Sequence, residues 1–117
     1  MAQLIDVDLL ETARDVIADP RHWTKGAIAR NEHERTVDPN CDDAQCWCAL
    51  GAIAKATPED YEAECRLITR VQNALWGMYE EWIGRPLADF NDAAGVAHGA
   101  VICVFDRAIA DARKEAQ

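Results

Sequence analysis

Apolar residues recur at helical spacing in several separate stretches of the chain, and the breaks between them set the architecture. Val7, Leu10, Ala13 and Ile17 stand three or four residues apart, with Asp8, Glu11 and Asp15 between them, which predicts an amphipathic helix over residues 4–18. Asp19 and Pro20 end it, because the residue before proline is pushed out of the helical region. A second helix is expected to run to about Ala56 with Asp42 or Asp43 as its cap. The next junction, Thr57-Pro58-Glu59-Asp60, combines a capping hydroxyl, a proline at a position where its missing donor does no harm, and acids near the positive end of the helix dipole. From there Tyr61, Cys65, Ile68, Val71, Leu75, Met78 and Trp82 form a stripe that predicts the longest helix, to about Ile83, stopped by Gly84-Arg85-Pro86. Residues 87–92 (LADFND) read as a connector. A last helix begins between Ala94 and Gly99 and runs to about Arg113, with His98, Ile102, Phe105, Ile109 and Ala112 on one stripe and Val101 and Val104 widening it.

Residues 20–40 do not share this periodicity. The polar residues 31–35 lie between two short apolar pieces, Gly26-Ala27-Ile28-Ala29 and Thr36-Val37, so the segment reads either as a loose hairpin or as an extended excursion anchored by Trp23. The expected fold is therefore all-α in the main, a small four-helix bundle-like domain with an irregular or hairpin excursion at about residues 20–40. At 117 residues the chain fits one domain, residues 1–117, large enough to bury roughly two thirds of its unfolded surface.

Charge narrows the classes of function. Twelve Lys and Arg against 21 Asp and Glu give a formal charge of −9, which opposes direct binding to nucleic acid or anionic lipid. The excess is concentrated in residues 38–64, where Asp38, Asp42, Asp43, Glu59, Asp60, Glu62 and Glu64 face only one base, Lys55. Such a stretch suits a basic partner, or a protein whose nucleic-acid site the acids would imitate. The longest apolar run, around residues 101–105, is far shorter than the ~20 residues that span a bilayer. The amino-terminal segment carries acids where a signal peptide would carry bases, so a cytoplasmic location without membrane association is expected.

Five cysteines are an odd number, and in a cytoplasmic setting all five are expected as free thiols. Cys41-x4-Cys46-x-Cys48 lacks the paired CxxC spacing with which thiolates wrap zinc, so no metal is assigned. Neither Gly26 nor Gly84 sits in a phosphate-binding glycine motif, and no cofactor is implied. One catalytic constellation is available. Cys48 near a helix start could be activated as a nucleophile, with His98 as base and Asp92 as orienting group, the Cys-then-His order of many thiol hydrolases. The structural alternative makes Cys48 a buried thiol among Trp47, Leu50 and Ile53, and His98 a hydrogen-bonded helix-terminal side chain. Gly51, Ala52 and Ala54 form a narrow face suited to close approach of another helix, and Asn91 and Asp92 are suited to capping a helix or a turn.

Trp23 with Ala29-Arg30, the run WCALGA at 47–52, Asn91-Asp92 with His98 and Val101, and Arg107-Ala108-Ile109 with Ala112-Arg113 together resemble a family of small uncharacterised bacterial and bacteriophage proteins. The resemblance spans about residues 23–113. It implies one structural unit and carries no activity with it. The resembling proteins often have glycine where this chain has Glu34, which argues against a tight hairpin at that point. The function expected on these grounds is a non-enzymatic protein-interaction domain acting through its acidic surface, in a phage or mobile-element setting. The thiol-dependent hydrolase is the rival.

Overall fold

A computed structural model describes residues 2–117. The chain forms α1 (Ala2–Val16), β1 (Ala29–Arg30), β2 (Cys46–Trp47), α2 (Ala49–Ala56), α3 (Tyr61–Met78), α4 (Leu87–Asp92) and α5 (His98–Ala116). Single 3-10 turns occupy Pro20–His22 and Glu80–Trp82. The protein is mainly α-helical and bundle-like, as the periodicity predicts, and of the two forms open to the excursion it takes the hairpin, with pairing that extends past residue 40 to Cys46 and Trp47.

Helix α1 packs against α5 and α2, and α3 lies along the other side of α5. Val7, Leu10, Ala13 and Ile17 are buried where the sequence stripe places them, and they meet Val101, Val104, Phe105, Ala108, Ile109 and Ala112 of α5 in one apolar cluster. On α3 the buried stripe is Ala63, Leu67, Val71, Ala74 and Leu75. Tyr61 and Cys65 are exposed, although the expected stripe includes them. The core face of α3 combines the small Ala63 and Ala74, which let neighbours come close, with Leu67, Val71 and Leu75, and leaves Tyr61 and Cys65 outside it.

Three boundaries differ from expectation, each for a local reason. Helix α2 starts at Ala49, with Cys48 as its cap, rather than at Asp42 or Asp43. Backbone groups just before it are committed elsewhere: Cys46 and Trp47 pair antiparallel with Arg30 and Ala29, and Gln45 N–H donates to the Arg30 carbonyl at 2.8 Å. Thr57 closes α2 instead of opening α3, its hydroxyl donating to the Ile53 carbonyl at 2.8 Å. The side chain that caps α3 is Asp60, which accepts from Ala63 N at 3.0 Å. At the far end α3 stops at Met78, where Tyr79 turns extended. The LADFND connector is itself the short helix α4, which buries Leu87, Phe90 and Asn91.

The excursion is a strap with two pairings. Ala29 and Arg30 lie between β2 on one side and residues 36–37 on the other, where Arg30 bridges to Thr36 and Val37 N–H donates to the Ala29 carbonyl at 3.0 Å. The turn over residues 31–35 is closed by Asn31 N–H on the Arg35 carbonyl at 3.0 Å. Asn31 Oδ1 inside the turn accepts from the N–H of His33 at 2.9 Å and of Arg35 at 3.1 Å. These bonds and Glu34 N–H on the Asn31 carbonyl at 2.9 Å make the hairpin tight, with Glu34 at φ 62, a left-handed position that favours glycine. The side-chain bonds of Asn31 offset that local strain.

Candidate functional site

The residues that mark the chain most strongly converge where the strap crosses the start of α2 and the end of α4. Asn91 is the hub, with no exposed surface at all. Its Oδ1 accepts from the Trp23 indole Nε1 at 2.7 Å and from Ala49 N–H at 3.0 Å. Its Nδ2 donates to the Thr24 carbonyl at 3.0 Å and to Asp92 Oδ1 at 3.0 Å. Asp92 in turn accepts from Gly26 N–H at 2.9 Å. One amide therefore caps α2 from another helix, holds an indole and fixes the Thr24 carbonyl of the strap, while through Asp92 it is linked to a second strap group, Gly26 N–H. A buried amide is stable only when its donors and acceptors are matched, and among the described residues no buried side-chain polar atom lacks a partner.

Gly51 completes the contact. A Cβ there would stand 1.9 Å from the Ile28 carbonyl oxygen, so the strap backbone lies directly against the first turn of α2. The same Ile28 carbonyl accepts from Cys48 N–H at 3.2 Å. At Gly51 the small face of α2 thus receives an extended backbone and not another helix, a correction to the sequence expectation at that position, while Ala52 lies in the core that α2 shares with α1. Trp47 adds a second tie through its Nε1 on the Pro39 carbonyl at 2.8 Å, and Lys55 lies over its ring.

The three residues of the hydrolase constellation have separate partners. Cys48 is buried and caps α2, its Sγ accepting from Gly51 N–H at 3.4 Å. Burial pushes its thiol pKa up, the backbone N–H groups of Gly51 and Leu50 pull against that, and the nearby Asp92 carboxylate adds to the rise. A protonated thiol is thereby favoured, the opposite of an activated nucleophile. His98 opens α5, where its Nε2 lies 2.6 Å from the Ile17 carbonyl and its ring packs on Trp23, with centroids 5.7 Å apart. Asp92 is taken up by Gly26 N–H and Asn91. Cys48 and Asp92 do share a shallow concavity of about 190 Å³ with Gly26, Ile28 and Leu50; His98 does not line it.

The seven acids of residues 38–64 are exposed, apart from the half-exposed Glu64. Asp38 accepts from Asn40 N–H at 2.8 Å and Asp60 caps α3. None of the seven enters an ion pair among the described residues. The pairs lie elsewhere, as in Arg14 with Asp106, Arg113 with Glu11, and Arg66 and Arg70 with Asp6. The Asp6 carboxylate, buried on α1, was missed by periodicity; its only sequence signal is an acid on the helix face next to Val7 and Leu10. No group of three or more His, Cys, Asp or Glu among the described residues is placed to hold a metal ion. No described helix is long and apolar enough to cross a membrane.

The chain belongs to DUF6197, a family of unknown function whose model matches residues 1–111. No curated protein and no solved structure matches it.

Proposed function

We propose that this protein is a non-enzymatic interaction domain whose acidic surface, carried by residues 38–64, engages a basic protein partner. The observation that carries this reading is the uneven use of charge. Acids on α1 and α5 are largely matched by arginines, whereas the seven acids around α2 and the start of α3 have no cationic partner among the described residues. Unmatched surface carboxylates repel one another and make no net contribution to the fold, but they accelerate encounter with a basic surface. Asp38 and Asp60 also cap local structure, so Asp42, Asp43, Glu59, Glu62 and Glu64 are the residues free to serve a partner. In a phage or mobile-element setting, the partner on this reading is a protein whose basic surface otherwise takes nucleic acid.

The test is a variant with Asp42→Asn, Asp43→Asn, Glu59→Gln and Glu62→Gln, which leaves both capping acids in place. Its partner capture from host lysate at low salt should fall sharply against wild type. A control that neutralises Glu11, Asp106 and Asp111 should retain capture. Equal capture by wild type and the four-residue variant contradicts the reading.

A further inference from the structure

On the side of the bundle away from the Asn91 hub, α3 presents Arg66, Thr69, Arg70 and Asn73 at successive helical spacings, one polar ridge along a concavity of about 450 Å³. Its floor is Asp6, only 1 % exposed. Each oxygen of that carboxylate takes one arginine Nε: Arg66 on Oδ1 at 3.2 Å and Arg70 on Oδ2 at 2.8 Å. Both guanidinium planes are thus held from below. A guanidinium has more N–H donors than these contacts use. Arg70 gives Nη1 to Glu115 at 2.6 Å, while the terminal nitrogens of Arg66, Nη2 of Arg70, and the polar ends of Thr69 and Asn73 make no hydrogen bond among the described residues.

We propose that this concavity binds the oxyanion of a small molecule, a carboxylate or a phosphate, between the terminal nitrogens of Arg66 and Arg70, with Thr69 and Asn73 as neutral donors beside them. A paired, pre-oriented set of arginine forks is the geometry that recognises planar or tetrahedral oxyanions. The Glu115 carboxylate already occupies one edge of Arg70, and its side chain is 56 % exposed near the end of α5. Glu115 is therefore an internal stand-in that a ligand displaces. The acidic excess of the chain repels anions at long range but is screened beyond about 10 Å at ordinary salt, so capture depends on these contacts. The site is independent of the acidic surface proposed above.

The experiment is a titration of the full chain with succinate and, separately, with inorganic phosphate at constant ionic strength, followed by NMR of the arginine Nε–H groups and the Asn73 amide. Saturable shifts confined to Arg66, Arg70, Thr69 and Asn73 are expected with at least one probe, and which probe saturates identifies the class of oxyanion. Arg66→Gln leaves Arg70 on Asp6, so the fold should hold while affinity falls about tenfold, the loss of one charge-assisted bond. Glu115→Gln removes the competitor and should tighten binding several-fold. Failure of both probes to give saturable shifts in wild type and in Glu115→Gln, or equal shifts with sodium chloride, overturns the proposal.

Discussion

The bundle formed by α1, α3 and α5 and the strap over α2 and α4 are held by different physics. In the bundle, stability comes from apolar side chains stacked at helical spacing, with arginine pairs such as Arg70 on Asp6 and Glu115 tying the helices at their edges. Apolar burial is non-directional and spread over many residues, so a single loss is partly absorbed. The strap buries far less, chiefly Ala29, Pro39 and parts of Trp23 and Trp47. Its order depends on directional bonds that converge on Asn91 and on the bare Cα of Gly51. Trp23, Gly51 and Asn91, which are among the residues that carry the family resemblance, each have a defined architectural role at this junction.

The largest test of this contrast is Asn91→Ala. It leaves the Trp23 indole N–H, the Ala49 N–H and the Thr24 carbonyl without partners, at roughly 1–3 kcal/mol for each group that water cannot reach. A total loss of about 3 kcal/mol or more is expected in denaturant melts. A bundle residue of similar size should be more forgiving: Leu67→Met, which keeps the volume, should cost under about 1.5 kcal/mol. Gly51→Ala comes next, at about 2–3 kcal/mol, because the new methyl must displace strap backbone and not a flexible side chain. If both hub variants melt like wild type, the strap is held by something other than these contacts.

The bundle was largely legible in the sequence, and the strap was not. Val7, Leu10, Ala13 and Ile17 announce their helix because burial of one face imposes a period. Tyr61 and Cys65 misled for the same reason: apolar character marks what can be buried, while Ala63 and Leu67 face the neighbours that bury them. Asn91 and Asp92 were readable as capping residues, but the helix start that Asn91 caps lies 42 residues away, a relation no local pattern encodes. The expected α2 start at Asp42 or Asp43 failed because strand pairing at Cys46 and Trp47 takes up the backbone first. Of the residues singled out for catalysis, Cys48 is buried and also caps α2, a role its sequence position did not reveal, and His98 sits at the start of α5 on the Ile17 carbonyl.

Smaller effects sharpen the contrast at the strap's edges. Burial raises the Cys48 thiol pKa above its unfolded value, so the stabilisation from the protonated thiol is complete below the ordinary thiol range and is lost as pH rises through the folded value. Unfolding free energy should therefore decline in alkali, and Cys48→Ala, at a cost of about 1 kcal/mol for the lost cap, should remove that part of the decline. In the native state at neutral pH, Cys48 should alkylate more slowly than the exposed Cys65 and Cys103. The smallest effect is a gain. Glu34→Gly relieves the left-handed backbone at φ 62 and, after the added entropy of the unfolded glycine, should stabilise by about 0.5 kcal/mol.

Native-state hydrogen exchange on wild type and Asn91→Ala tests the hub most directly. Loss of the amide should strip protection from the N–H groups of Gly26, Cys48 and Ala49 through local opening of the strap, while amides at the centres of α1, α3 and α5 keep theirs relative to global stability. Uniform loss across strap and bundle, or unchanged protection at Ala49, would contradict the account of Asn91 as the residue that fastens one region to the other.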